Sequence, residues 1–334
     1  MKKIIPFIAV VAVIGLVAAG FAGCVDPYEG PISEGLPSGI LSGVNTAPSA
    51  EVVETLTVSI EDIINDSSLA DNEKVRLIMD AVEENETKVL RYTYFKYTKG
   101  QTTMSEANDF MMIYQRLKKQ DRQIKDDIIL KFPINLGTSS TMFNFYASTA
   151  AKSKGIYADG KLWRLSTGLD DLEYDGEGTG LLSVKEGAWK KGSDFGDKNE
   201  TSIQTQNREE SKKTALNFSK ENIISSDGVS IVHNEKGYYE ITFKANISVA
   251  NADSTTIARL EQDNSASGMS FNKLEVKIQV WDCGLIKEMY YDESWNGTIM
   301  GFNGVANAST YIEYSYTLED CDHSETQAII NSLK

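Results

Sequence analysis

Between residues 238 and 280 the chain alternates apolar and polar residues with a period of two. In GYYEITFKANISVA, Tyr239, Ile241, Phe243, Ala245, Ile247 and Val249 fall on one side. Tyr238, Glu240, Thr242, Lys244, Asn246 and Ser248 fall on the other. In FNKLEVKIQVW, Leu274, Val276, Ile278 and Val280 alternate with Lys273, Glu275, Lys277 and Gln279. This predicts antiparallel strands with one buried and one wet face. LIKEMYYDESW and STYIEYSYTLE continue the series as a meander. No helical crossover is expected between these strands, which argues against a parallel sheet.

A different period runs through LADNEKVRLIMDAVEENE. Val75, Ile78, Met79 and Val82 lie at i, i+3, i+4 and i+7, one stripe of a helix over 69–86. Asp71 or Asn72 is the expected N-cap, and Glu83, Glu84 and Glu86 are expected to face water. Around it, KVLRYTYFKYT (88–98) and TSSTMFNFYAST (138–149) have strand composition. GIYADGKLWRLS (155–166) reads as a hairpin turning at Asp159-Gly160, which suits a tight two-residue turn. Residues 101–131 are ambiguous between helix and strand, with strands favoured, and 190–222 read as a long polar connection or a poorly packed helix. The expected fold is therefore α+β, mainly β, with a curved antiparallel sheet packed on at least one amphipathic helix.

The N-terminus changes the picture. Lys2 and Lys3 precede an almost wholly apolar run, Ile4 to Phe21, that ends in Ala22 and Gly23 before Cys24. A positive head, an apolar middle and small residues at the end mark a secretory signal. The run also has about the 20 residues needed to span a bilayer, so an uncleaved signal anchor stays open. Phe21-Ala22-Gly23-Cys24 resembles the lipobox of prokaryotic lipoproteins, with Phe where Leu is most common. The resemblance implies that Cys24 carries a diacylglyceryl thioether and becomes the mature N-terminus. Residues 25–50 hold four of the chain's six prolines, a composition suited to a tether. The expected organisation is a signal at 1–23, an anchor and disordered tether at 24–54, and one β-rich extracytoplasmic domain at 55–334. That domain could also divide into halves, about 55–189 and 216–334, joined by the polar segment.

Net charge is −15, or −17 once Lys2 and Lys3 are removed. So acidic a chain repels nucleic-acid phosphates, and no nucleic-acid partner is expected. With Cys24 lipidated, Cys283 and Cys321 remain, an even pair that favours one disulfide in an oxidising compartment, with free thiols or one buried, inert cysteine as the alternatives. Seven N-x-S/T sequons begin at Asn65, Asn85, Asn199, Asn217, Asn246, Asn296 and Asn307, about twice what chance supplies in a chain of this composition, so composition alone and glycosylation both stay open.

Catalytic signals are sparse. The two histidines, His233 and His323, have no nucleophile elbow beside them. Asp171, Glu173, Asp175 and Gly176 imitate an EF-hand loop, but position 12 is Leu182 rather than a bidentate Glu. Glu319, Asp320, Cys321, Asp322 and His323 form a ligand-rich run, yet neighbours on a strand point to opposite faces. No enzyme, metal or cofactor is expected.

One helix, many half-apolar strands and a lipid anchor together resemble the half-barrel lipoproteins of the LolA and LppX type. YADGKLW and WDCGLIKEMYYDESW are similar to stretches in such families. The resemblance implies carriage of a lipid or other apolar ligand at the membrane. On that reading an apolar cleft of at least about 300 Å³ is expected between sheet and helix. Its walls would be Val75, Ile78, Met79, Val82, Ile241, Phe243, Ile247, Leu274, Val276, Ile278 and Val280. The alternative is a surface scaffold or adhesion lipoprotein with no small ligand.

Overall fold

The computed structural model describes residues 38–52, 59–104, 107–121, 124–131, 135–136, 153–158, 161–166, 172–174, 182–184, 190–191, 218–264, 266–299 and 302–333. The chain enters through α1 (Ile60–Asn65) and α2 (Asp71–Glu86). It continues through β1 (Arg91–Met104), β2 (Ala107–Asp121), β3 (Ile124–Lys131), β4 (Asn135–Leu136), β5 (Ser153–Ala158) and β6 (Lys161–Ser166). Next come β7 (Leu172–Tyr174), β8 (Leu182–Val184), β9 (Lys190–Lys191), β10 (Ser230–Asn234) and β11 (Tyr238–Lys244). The last elements are α3 (Ile247–Ala252), α4 (Ser254–Asn264), β12 (Ser267–Trp281), β13 (Ile286–Ile299), β14 (Phe302–Ser315) and α5 (Ser324–Leu333).

The fold is α+β and mainly β. Twelve strands join in one antiparallel sheet, ordered β10-β11-β12-β13-β14-β1-β2-β3-β5-β6-β9, with β4 beside β2. The first strand pairs with the last: β1 runs against β14 from Thr93↔Ser315 to Met104↔Gly304. The two sequence halves thus share one sheet. Register shifts at Phe271/Lys273 and Gln279/Val280 in the β12–β13 pair bend those strands.

Alternation sorts side chains onto two faces. On the inner face one row runs Ile241, Ile278, Met289, Ile312 across four strands. The α2 stripe lies over it: Val75, Ile78 and Val82 are completely buried and Met79 nearly so. These residues, with Phe243, Leu274, Val276 and Val280, belong to one continuous core. α2 begins after Ala70, whose side chain makes no cap; Asp71 and Glu73 meet the helix dipole in the first turn instead. Glu86, expected in water, is half-buried, and both of its carboxylate oxygens are buried.

The alternation after Lys244 misleads. Ile247 and Val249 lie on α3, because the Asn246 side chain accepts the Val249 N–H and caps a helix there. α3 and α4 form a short helical connection between the paired strands β11 and β12, where none was expected. Asn251 docks α3 onto β12 at the bulge. It donates to the Phe271 carbonyl at 2.9 Å and accepts the Phe271 N–H at 2.7 Å.

The N-terminal strands follow the expected pattern over 91–131, and β5 pairs with β6 as a hairpin, Ala158 opposite Lys161. Residues 138–149, Asp159, Gly160 and the segment 192–217 lie outside the described residues. β7 pairs with β8, Tyr174 opposite Leu182, so the EF-like run flanks strands rather than helices.

Candidate functional site

The expected cleft would lie between α2 and the sheet. Side chains lining a hollow of about 300 Å³ keep surface that a water-sized sphere can touch. Val75, Ile78, Val82, Ile241, Phe243, Ile278 and Val280 are 0% exposed, and Met79, Leu274 and Val276 are 1%. They contact one another as core, so these ten residues do not wall a cleft. Ile247 is half-buried on α3 against the same core. The physical reason is local. α1, α3 and α4 supply the additional cover that one helix lacks, through Ile60, Ala250 and Leu260.

The outer face has other chemistry. Lys244 Nζ meets Glu275 Oε1 at 2.8 Å, and Lys273 Nζ meets Glu275 Oε2 at 3.0 Å and Asp292 Oδ2 at 2.8 Å. Ser309 donates to the other Asp292 oxygen at 2.7 Å. Lys277 pairs with Glu240 at 2.9 Å. Hydrogen bonds from Lys244 and Lys273 hold the Glu275 carboxyl below its ordinary pKa. Lys287 lies deeper, paired with Glu288 and donating to Gln279 Oε1 at 3.0 Å. Its ammonium sits 5.1 Å from the Tyr238 ring and 5.9 Å from the Trp281 ring. Every one of these cations has an acidic partner, so the face is a compensated lattice rather than a charged pocket.

A second assembly, not anticipated from sequence, lies where the outer face meets the start of the described chain. Residues 38–52 lie wholly within the stretch expected to be disordered tether (24–54), yet they are docked. Glu313, completely buried on β14, accepts the Gly39 N–H at 2.7 Å and the Leu41 N–H at 2.5 Å. Tyr311 donates its hydroxyl to the same carboxylate at 2.7 Å. Burial, and then the Glu313 contact, push the Tyr311 phenol well above its ordinary pKa.

Asp320 repeats the device. It accepts the Ser42 hydroxyl at 2.9 Å and the Gly43 N–H at 2.7 Å. Burial acts to raise the Asp320 pKa, but hydrogen bonds from Ser315, Gly43 and Ser42 outweigh it and hold the carboxyl below its ordinary value. Leu41 and Val44 pack on Phe95 and Tyr97. Gly43 passes so close to β14 that a Cβ there would collide with Ser315 Oγ and Thr317 Cγ2. Glu313 was detectable in principle, as the lone acid of β14 in the aromatic run STYIEYSY.

The ligand-rich run 319–323 does not converge. It follows β14 as a turn rather than a strand. Asp320 holds the N-terminal segment, Cys321 Sγ points to the Ser315 carbonyl at 3.7 Å, and Asp322 caps Ser324. His323 Nε2 lies 3.6 Å from Asp121. His233, at the sheet edge, is exposed and meets Asp282 at 3.0 Å.

The expected disulfide is not formed: Cys283 and Cys321 are free thiols. Burial, and to a smaller degree Asp320, push the Cys321 thiol up to about 12, and burial raises Cys283 as well. Both are poor thiolates. Of the sequons, Asn85 is completely buried and donates to the Gly284 carbonyl, and Asn246 is the α3 cap. Asn65 and Asn296 are exposed and Asn307 half-buried, while Asn199 and Asn217 lie outside the described residues. Cys24 and the signal also lie outside them. Compared with protein-family models and with the curated proteins, the chain matches none.

Proposed function

We propose that this is a lipid-anchored extracytoplasmic protein whose folded domain acts as a non-catalytic surface scaffold or adhesion module. The anchor rests on the lipobox-like Phe21-Ala22-Gly23-Cys24 after an apolar run. One observation carries the choice of scaffold over carrier. The helix–sheet interior that a carrier of this type would leave open is filled by the protein's own side chains. The laced outer face offers a rigid polar surface instead, and the strong net negative charge disfavours nucleic acid as a partner.

Carriage of a lipid or other apolar ligand is the second reading, and one feature favours it. β1, β12, β13 and β14 have 14 or 15 residues each, about 47 Å of strand. α2 has 16 residues and covers about 24 Å of that length. A ligand would have to displace part of the α3–α4 cover, beside Trp295, which is 8% exposed.

Mass spectrometry of organic extracts from natively purified protein separates the two. The scaffold reading expects no stoichiometric lipid beyond the acyl anchor. A bound lipid that disappears in Trp295→Ala would establish the carrier. For the anchor itself, Cys24→Ala should abolish acyl labelling and leave an unprocessed precursor. Equal labelling in wild type and variant would refute it.

A further inference from the structure

We infer that residues 39–43 are a clip that fixes where the membrane tether leaves the domain, so that the β14–α5 end faces the bilayer. This rests on the anchor reading above; the clip itself does not. Two independent carboxylates hold one short backbone stretch, Glu313 at Gly39 and Leu41, and Asp320 at Ser42 and Gly43. Glu313 is completely buried, so loosening the segment would take the Gly39 and Leu41 donors from a desolvated carboxylate and leave it the Tyr311 hydroxyl. The fit at Gly43 leaves no room for a side chain.

The consequence is a matter of chain length. Between Cys24 and Gly39 a fully extended chain spans at most about 50 Å. Were Val52, the next residue docked in the core, the first point of attachment, the span from Cys24 would be about 95 Å. The clip therefore cuts the reach nearly in half. The domain is about as long as its strands, roughly 47 Å. A tether about as long as the domain, leaving from one end of β14, biases that end toward the membrane.

The surface beside the clip fits such a neighbour. Ile40, between the two gripped residues, is 53% exposed, and Leu318, next to the Thr317 that walls Gly43, is 65% exposed. Both are large aliphatics on an otherwise polar surface, suited to the headgroup boundary. Glu319, Asp322 and Glu325 are exposed at the same end. They favour a zwitterionic bilayer over an anionic one.

The test uses the full mature lipoprotein in vesicles of zwitterionic lipid carrying an acceptor-labelled lipid. Hydrogen exchange reads the clip. The amides of Gly39, Leu41 and Gly43 should be protected at least 100-fold in wild type and lose that protection in Gly43→Val. Asp320→Asn is the second variant, should Gly43→Val fold poorly. Energy transfer from a fluorophore at position 318 or at position 305, the opposite end of β14, reads the orientation. Transfer should be greater from 318, the gap should narrow in Gly43→Val, and it should shrink on anionic vesicles. Unprotected wild-type amides would overturn the clip. Equal transfer from 318 and 305, with Cys24 acylated, would overturn the orientation. Absence of the acyl label with protected amides would overturn the anchor reading and with it the bilayer placement, and would leave the clip standing.

Discussion

The two faces of the sheet are made by alternate residues of the same strands, yet they are held together by different physics. On the inner face Ile278 is completely buried between Ile241 and Met289. One residue away on the outer face, Lys277 is nearly half exposed and paired with Glu240. The inner face supplies stability through apolar burial, at about 25 cal/mol per Å² removed from water. The outer face supplies solubility and strand register, since each exposed pair is worth at most about 1 kcal/mol. The exception is where the N-terminal segment docks. There the outer face is buried too, and its acids change role. Glu275 meets cations, whereas Glu313 meets backbone N–H groups and a phenol. Burial rather than residue type decides which partner a carboxylate takes.

This contrast can be broken in order of effect. Ile278→Ala should cost about 2–5 kcal/mol in denaturant unfolding, because it opens a cavity in a filled core. A loss under about 1 kcal/mol would mean that the core there is already loose. Glu313→Ala should cost about 1–3 kcal/mol, since it strands the Tyr311 hydroxyl and frees residues 39–41. Faster exchange confined to those amides would locate the loss.

Acid provides a third handle. The folded-state pKa of Asp320 is depressed, so its contribution is fully present above the ordinary carboxylate pKa. It is lost as pH falls through the depressed value. Protection of the Gly43 amide should therefore survive mild acid and fall only below the usual carboxylate range. Loss near neutral pH would contradict this. The smallest effect is expected at Lys273, whose pKa is raised chiefly by the hydrogen bond to Asp292. Its contribution is present below the ordinary lysine pKa and fades as pH rises through the raised one. Because the side chain is 41% exposed, solvent screening limits Lys273→Ala to about 1 kcal/mol or less, smaller still in high salt.

The pattern of the chain makes the inner face readable and hides most of the outer one. Period-two alternation identifies β11 and β12 because each side chain there sees either core or water. It fails one step later. Ala245, Ile247 and Val249 keep the period, but Asn246 offers a local hydrogen bond that turns the backbone into α3. α4 and α5 were missed because short helices with mixed faces carry little periodic signal, as in STTIARLEQDN. The expectation of a cleft fails for a related reason: one helix is narrower than the sheet, but α1, α3 and α4, which carry little periodic signal, add the rest of the cover. The clip could not be read at all, since its donors are backbone N–H groups and its acceptors lie more than 270 residues away.

The filled interior is the claim on which the choice between scaffold and carrier turns, and xenon tests it most directly. Xenon enters dry apolar cavities and does not enter close-packed cores. Crystals pressurised with xenon should show no site among Val75, Met79, Ile241 and Ile278. A well-occupied xenon atom in contact with those four side chains would contradict the filled core and return the helix–sheet interface to the carrier reading.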